Sequence, residues 1–317
     1  MFCIFSGRLS LGLNFKNIIM VNYFIGANEL KNMDLKNVEY LVEDLIPKGT
    51  LCALVGESDT GKSTLLRQLA VSITYGDEEF LGFKLNDTCR NVVYVSTEDG
   101  QHATSMWLNK YFGEDITDDA ALSKLKFVFS TDRILENLRG FIKEYCLDLI
   151  IIDSYADIFT GGMNNSNEVR TFLNEYNNIV NEFGTTIMFL HHTKKSSAGF
   201  RPNKNSILGS QGFEAKMRSV LMLNKDLQDS SKRHLCVVKN NYMDERNKSK
   251  SYVLKFNEHL AFENTGMRVD LDELISDDVL EKAKKLINEG KTIRETAEVL
   301  NSDGHKVSKS SLHRKLK

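Results

Sequence analysis

A glycine-bounded loop set between a short apolar run and an amphipathic run constrains this chain more than any other feature. Leu51 to Val55 reads as a buried strand. Gly56, Glu57, Ser58, Asp59, Thr60, Gly61, Lys62 and Ser63 follow it at the spacing G-x-x-x-x-G-K-[ST]. From Thr64 onward, Leu65, Leu66, Leu69 and Ala70 recur at helical spacing. Strand, loop and helix in that order are the context a phosphate-binding P-loop requires. Backbone N–H groups of such a loop face an anion, and the dipole of the helix that follows favours negative charge there. Gly56 to Thr64 is thus the expected cradle of a nucleoside triphosphate. Lys62 is expected to reach the β- and γ-phosphates, and the Ser63 hydroxyl to ligate Mg²⁺.

The 317 residues allow two domains, or one large domain with an appendage. With 41% hydrophobic and 26% charged residues the chain can bury a sizeable core. Its net charge of −2 shows no overall basicity, so any DNA-binding surface has to be local. Cys3, Cys52, Cys89, Cys146 and Cys236 are scattered without a C-x-x-C pair. That argues for a reducing, cytoplasmic setting and against a cysteine-based metal site. No apolar run approaches a membrane span, so no membrane partner is expected. Residues 1–34 read as a mildly apolar leader without the order of a signal peptide, and Met20 and Met33 are candidate starts.

Apolar strand candidates recur at Val92–Val95, Phe127–Phe129, Leu149–Ile152 and Ile187–Leu190. Helical stretches near 101–111, 133–145 and 167–183 separate them. This alternation predicts an α/β fold with a mostly parallel sheet covered on both faces. Past residue 217, Arg218–Leu223, His234–Val238 and Ser251–Phe256 have hairpin-like spacing, which predicts antiparallel strands added at one edge. The expected ATPase domain is therefore 35–263, followed by a polar, acidic linker at 264–277. A small helical domain is expected at 278–317, with helices at 279–289, 292–300 and 308–317. Gly290 reads as a C-cap, Thr292 as an N-cap with Glu295 completing its box, and Ser308 as another N-cap. Between Asp278 and Lys317, ten Lys or Arg stand against six Asp or Glu. A basic helix-turn-helix-like module is expected, with Lys309 and Arg314 as contacts to duplex DNA. The turn NSDGHKV is longer than usual, and a three-helix packing module for oligomer contacts is the alternative.

Three strand ends carry candidate chemistry. LDLIIIDS ends on Asp153, placed to hold Mg²⁺ beside a P-loop. NVVYVSTEDG ends on Glu98 and Asp99; Glu98 is the candidate to orient or deprotonate water, with Asp157 the weaker alternative. TTIMFLHHTKK ends on His191 and His192, which point to opposite faces of a strand, and His192 is the candidate that faces a γ-phosphate. No third ligand at metal spacing joins the histidines, which argues against zinc. The loop 194–206 carries Lys194, Lys195, Arg201 and Lys204 around Phe200. Such a loop can track a phosphate backbone while its ring stacks on a base, or it is simply a solvated charge run.

Taken together, GESDTGKS, VVYVSTED, LIIIDSYADIF, MFLHHTKK, ILGSQGFEAKMRSVL and VVKNNY occur in the order of the RecA-like ATPases. They most resemble the RepA-type ring helicases of mobilisable plasmids and related ATPases of phages and mobile elements, over about residues 35–262. The resemblance implies a homo-hexameric ring with ATP between subunits and single-stranded DNA in the channel. It places Lys62 and Ser63 on the phosphate and magnesium positions, Glu98 on the catalytic carboxylate, Asp153 on the second magnesium residue and His192 on the strand-end sensor. It also implies that Arg218 acts as an arginine finger in trans and Lys239 as a second trans-acting cation. Loops 161–168 and 194–206 fall where relatives contact DNA. Where many ring helicases have a second basic residue, this chain has Asn241. ATP rather than GTP follows from the resemblance alone. The expected function is an ATP-driven motor on single-stranded DNA, hence a helicase in plasmid or phage replication. A filament-forming recombination or repair ATPase and a nucleotide-switched DNA-binding regulator remain the alternatives.

Overall fold

The computed structural model describes residues 25–33, 37–86, 90–113, 118–194, 201–226, 228–274 and 277–303, with isolated positions from 307 onward. The chain divides into a unit spanning Met1–Val38 and one spanning Glu39–Lys317. In the first, helix α1 (Ala27–Asn32) has no buried residue.

Strands of the centre are buried along their whole length because both their faces are covered. β3 (Leu51–Gly56) and β8 (Leu147–Asp153) have no exposed position. In β3, Cys52 and Leu54 enter one apolar cluster, while Leu51, Ala53 and Val55 enter the other on the opposite face. Helix α2 (Lys62–Tyr75) covers the first face through Leu65, Leu66, Leu69 and Ile73. Helices α5 (Ile134–Glu144) and α7 (Ser166–Phe183) cover the second through Leu138, Leu173, Tyr176 and Ile179. Asn165 caps α7 by accepting from the N–H groups of Asn167 and Glu168.

Six strands run parallel in the spatial order β7 (Leu125–Val128), β6 (Asn91–Ser96), β8, β9 (Thr186–His192), β3 and β10 (Ser219–Lys225). Beyond β10 the sheet continues antiparallel through β11 (Lys232–Asn240), β12 (Lys250–Phe256) and β13 (Phe262–Asp270), giving nine strands. Two small hairpins flank this sheet, β1 (Tyr40–Val42) with β2 (Ile46–Pro47) and β4 (Glu79–Phe80) with β5 (Phe83–Lys84). Helices α3 (Gln101–Phe112), α4 (Asp119–Leu122), α6 (Tyr155–Ile158) and α8 (Gln211–Lys216) complete this body.

The stretch 264–277, expected as a linker, is a sheet edge as far as Asp270. Its polar residues are bonded to the sheet: Thr265 Oγ1 donates to the Val253 carbonyl at 2.8 Å, and Arg268 lies 3.7 Å over the Tyr252 ring. A strand with one open face reads as polar sequence, which is why it resembles a linker. The cysteines also depart from expectation: Cys52 and Cys236 are buried free thiols, but Cys146 is disulfide-bonded.

At the C-terminus α9 (Asp277–Asn288) and α10 (Ile293–Ser302) pack around their own small core of Val279, Leu280, Ala283, Ala297 and Leu300. The capping box of α10 is formed, Thr292 Oγ1 accepting from Glu295 N and Glu295 Oε2 from Thr292 N. Most of the third expected helix, 308–317, lies outside the described residues. No helix among the described residues is long and apolar enough to cross a membrane.

Candidate nucleotide site

The open end of a parallel sheet collects the loops that follow its strands, and ligands bind in the crevice there. Gly56 at the end of β3 stands opposite His192 at the end of β9, and Ser96 at the end of β6 stands opposite Asp153 at the end of β8. The sequence-predicted Lys62, Ser63, Glu98, Asp153 and His192 therefore gather at one edge, although they come from four separate segments of the chain.

The loop itself needs a left-handed turn. Gly61 has φ +92, and a Cβ there would stand 2.8 Å from Phe262 Cζ and 3.0 Å from Phe256 Cε2. Only glycine satisfies both the dihedral and the close ring approach. Asp59 also has a positive φ of 58, and Glu57, Ser58 and Asp59 are exposed at the lip. Thr60 Oγ1 donates to the Glu57 carbonyl at 3.0 Å, and Arg233 Nε of β11 donates to the Thr60 carbonyl at 2.9 Å. Ser63 and Thr64, in the first turn of α2, are half-buried.

Lys62 is 5% exposed, and its Nζ donates to the Glu57 carbonyl at 2.6 Å. Burial lowers its pKa, while the charges of Asp153, Glu98, Asp59 and Glu57 pull it back up. An ammonium has three donors, so this bond leaves it capacity for phosphate oxygens. Asp153 is 2% exposed; Tyr94 OH donates to its Oδ2 at 2.6 Å, and its Oδ1 accepts no hydrogen bond. Burial raises the Asp153 pKa, and the neighbouring Glu98 charge adds to this, against the lowering by the Tyr94 and Ser63 hydroxyls and Arg67. A buried carboxylate oxygen without a donor, next to a half-buried serine hydroxyl, is a donor set that fits a hard divalent cation. Among the described residues no group of three or more His, Cys, Asp or Glu could hold a metal by itself.

Glu98 is half exposed, with Oε1 3.8 Å from His192 Nε2. Asp157, the alternative base, takes the Ser154 hydroxyl at 2.8 Å and the Thr97 hydroxyl on one oxygen, Oδ2, and so fastens the turn after β8 to the end of β6. His191 points the other way: it is fully buried, its Nε2 meets the Leu208 carbonyl at 3.0 Å, and burial pushes its pKa down to about 4.

Arg218 and Lys239 lie elsewhere. Arg218 is exposed just before β10, and its N–H donates to the carbonyl of Leu51, the first residue of β3. Lys239 pairs across the sheet with Val220 and is bonded to the Glu214 carbonyl at 2.7 Å and to its carboxylate at 2.9 Å. Arg218 sits at the edge opposite the P-loop, the length of β3 away, or roughly 16 Å at the rise of a strand, and Lys239 lies level with Ala53 in the middle of β3, two strands aside. Neither is gathered into the site of its own chain.

The predicted DNA-contacting cations are engaged within the protein. Lys194 Nζ donates to the Asn205 carbonyl at 3.1 Å, Arg201 Nε to Asp272 Oδ1 at 2.6 Å, and Lys204 pairs with Glu214 at 3.4 Å. Arg201, Lys204, Lys239 and Lys248 line one groove of about 730 Å³, with Asn203, Asn205, Asn240 and Asn241 between them. The first expected DNA loop is tied to the start of α8, where Ser210 N donates to the Met163 carbonyl at 2.8 Å. Lys309 is exposed, whereas Lys195, Phe200 and Arg314 lie outside the described residues.

Tyr94, Arg67 and Thr97 were not singled out in the sequence. Thr97 N donates to the Asp153 carbonyl at 2.7 Å, the single Thr97 hydroxyl proton is shared between that carbonyl and Asp157 Oδ2, and Arg67 pairs with Asp99 at 2.6 Å. The available signal was a phenol in an otherwise aliphatic strand and an arginine on the apolar face of α2.

In fold the chain is similar to a solved ATPase domain, with a TM-score of 0.54 and 14% identity over 68% of this chain and 85% of that one. It is also similar to a KaiC-like protein, PH0186, from the hyperthermophilic archaeon Pyrococcus horikoshii OT3, with a TM-score of 0.51 and 22% identity over 71% and 93%. No curated protein matches in sequence. The family model described as AAA domain matches residues 26–198, more than half the chain and the whole run from the P-loop to the His192 strand end. With a RecA-like P-loop fold around a nucleotide cradle, the chain belongs to this AAA domain family of ATPases.

Proposed function

We propose that this protein is an ATP-hydrolysing motor that moves on single-stranded DNA as a ring, a helicase of the RepA type serving plasmid or phage replication. The observation that carries the hydrolytic part is the convergence of Glu98 and His192, 3.8 Å apart, with buried Lys62 and Asp153 at one sheet edge. Backbone N–H groups of 57–64 would hold the phosphates, and Ser63 with Asp153 would hold Mg²⁺. Bound there, the ion supplies charge neutralisation on the phosphate oxygens. Glu98, half exposed, is free to take a proton from water, and Lys62 donates to the oxygen on which charge develops. His192 lies within reach of Glu98 and at the start of the basic loop, so it can relate the state of the site to 194–206. Arg218 at the far edge, and Lys239 outside the site of its own chain, fit a role toward the ATP of a neighbouring copy, which is the geometry an assembled ring requires. The C-terminal helices are assigned to duplex DNA targeting.

Hydrolysis measured with and without single-stranded DNA, with Lys62→Ala as the blank, tests this reading. Strong stimulation lost in Lys62→Ala and Arg218→Ala supports a motor with shared sites. Hydrolysis indifferent to DNA overturns it. A second reading, a nucleotide-switched regulator, draws on the ion pairs that already occupy Arg201 and Lys204. Electron microscopy of the ATP-bound protein separates a ring from the filament of a recombination ATPase and from a smaller assembly.

A further inference from the structure

Behind the proposed ATP site lies a buried polar cluster that the chemistry above does not use. Tyr94 is completely buried in β6, and its hydroxyl donates to Asp153 Oδ2 at 2.6 Å. Its ring packs 5.6 Å from the guanidinium carbon of Arg67, which is 4% exposed and lies on α2. Burying a phenol hydroxyl beside a carboxylate is costly unless the two satisfy each other, and an aliphatic or phenylalanine side chain would fill the same space without that cost. Packing alone therefore does not call for the hydroxyl.

What it does is remove a freedom. The Asp153 backbone is already fixed, because its carbonyl accepts the Thr97 N–H and the next amide, Ser154 N, donates to the Thr97 hydroxyl at 2.9 Å. Rotation of the carboxylate is the remaining motion, and the Tyr94 bond stops it. One oxygen is occupied and the other, Oδ1, is left with no hydrogen-bond partner. Resting on the ATP-site reading, we propose that Tyr94 is a positioning residue for the metal ion, holding Asp153 so that Oδ1 alone serves the ion or a water of its shell. A carboxylate held in this way offers one oxygen rather than two, which suits the small, strongly hydrated Mg²⁺ better than a larger cation that takes carboxylates bidentately.

The test is the metal dependence of nucleotide binding by the full chain, read as fluorescence of mant-ADP titrated with Mg²⁺ and, separately, in EDTA. Loss of such an outer partner commonly weakens metal affinity by 10–100-fold, so Tyr94→Phe is expected to raise half-saturating Mg²⁺ by roughly tenfold while affinity in EDTA stays within about twofold. Paramagnetic resonance of bound Mn²⁺ should show the same weakening without reference to turnover. Ile151→Val, a trimmed neighbour paired directly beside Tyr94, should change neither reading. An unchanged Mg²⁺ requirement in Tyr94→Phe overturns the inference. So does a loss of affinity equal in Mg²⁺ and EDTA, or any loss matched by a fall in the thermal midpoint, since each marks a purely structural hydroxyl. Should the wild-type chain show no Mg²⁺-dependent tightening, the ATP-site reading itself fails, an outcome distinct from a normal wild type beside an unaltered variant.

Discussion

The parallel half of the sheet and its antiparallel wing are built to different rules. β3 and β8 are buried at every position, β11 mixes buried and half-buried positions, and β13 is mostly exposed. Both cores draw on the parallel strands, whereas the wing gives Leu235, Val237, Leu254 and Phe262 to one and Cys236 to the other. All of the expected chemistry gathered at one edge comes from the parallel half. The wing grips the cradle from the side: Arg233 bonds the Thr60 carbonyl, Phe256 and Phe262 press on Gly61, and Gln68 of α2 exchanges two hydrogen bonds with the Phe262 backbone. A strand covered on both faces stores stability, and one covered on a single face can lend its polar groups to a neighbouring loop.

This division can be broken by measurement. The largest effect is expected in the parallel half's chemistry: Lys62→Ala should lower ATP hydrolysis by roughly 10²–10³-fold, about 3–4 kcal/mol of barrier, in a steady-state phosphate-release assay. Next, Ile151→Ala, which empties a fully buried position in the core beneath α2, should cost about 2–5 kcal/mol in urea unfolding, whereas Met267→Ala on β13 should stay within about 0.5 kcal/mol. Equal costs would erase the distinction.

Acid sharpens the comparison, because each half carries a group whose pKa the fold lowers. His191 titrates near 4 in the folded chain, below the ordinary 6.5, so the unfolded chain takes the proton first. Stability contributed by neutral His191 is complete above pH 6.5 and is lost as pH falls toward 4, in total on the order of 3 kcal/mol. In the wing, Asp226 is held below the usual carboxylate range against its burial, through the N–H groups of Gln228 and Asp229 and the His234 ring. Its contribution is present above the unfolded aspartate pKa and disappears only as pH falls below that. Urea midpoints of wild type and His191→Gln between pH 7 and 4.5 should converge as the pH drops. The smallest expected effect belongs to the clamp: Arg233→Ala should weaken mant-ADP binding by about fivefold, near 1 kcal/mol, and leave the urea midpoint almost unchanged.

Legibility in the sequence followed the same division. Every apolar run of the parallel half became a strand, and His234–Val238 and Ser251–Phe256 were legible because their buried residues cluster. The outermost strand was not. Asn264, Thr265, Gly266 and Arg268 show no alternation to distinguish a one-sided strand from a linker, and only the presence of β12 makes them one. At the site, Glu98, Asp153 and His192 were readable because each ends an apolar run. Tyr94 and Arg67 were not, since nothing in a linear pattern tells a buried hydroxyl that bonds a carboxylate from one that merely fills space.

By itself, then, the sequence determined the strand–loop–helix of the cradle, the α/β alternation and the small residue at position 61. These depend on local dihedral demands and on apolar periodicity, which act within a few residues. Only the tertiary structure decided which strand ends meet, that Arg218 stands at the edge opposite its own P-loop, and that Asp153 is left with one unpartnered oxygen. Those facts depend on strand order and on the packing of side chains far apart in the chain, and neither is encoded at any single position.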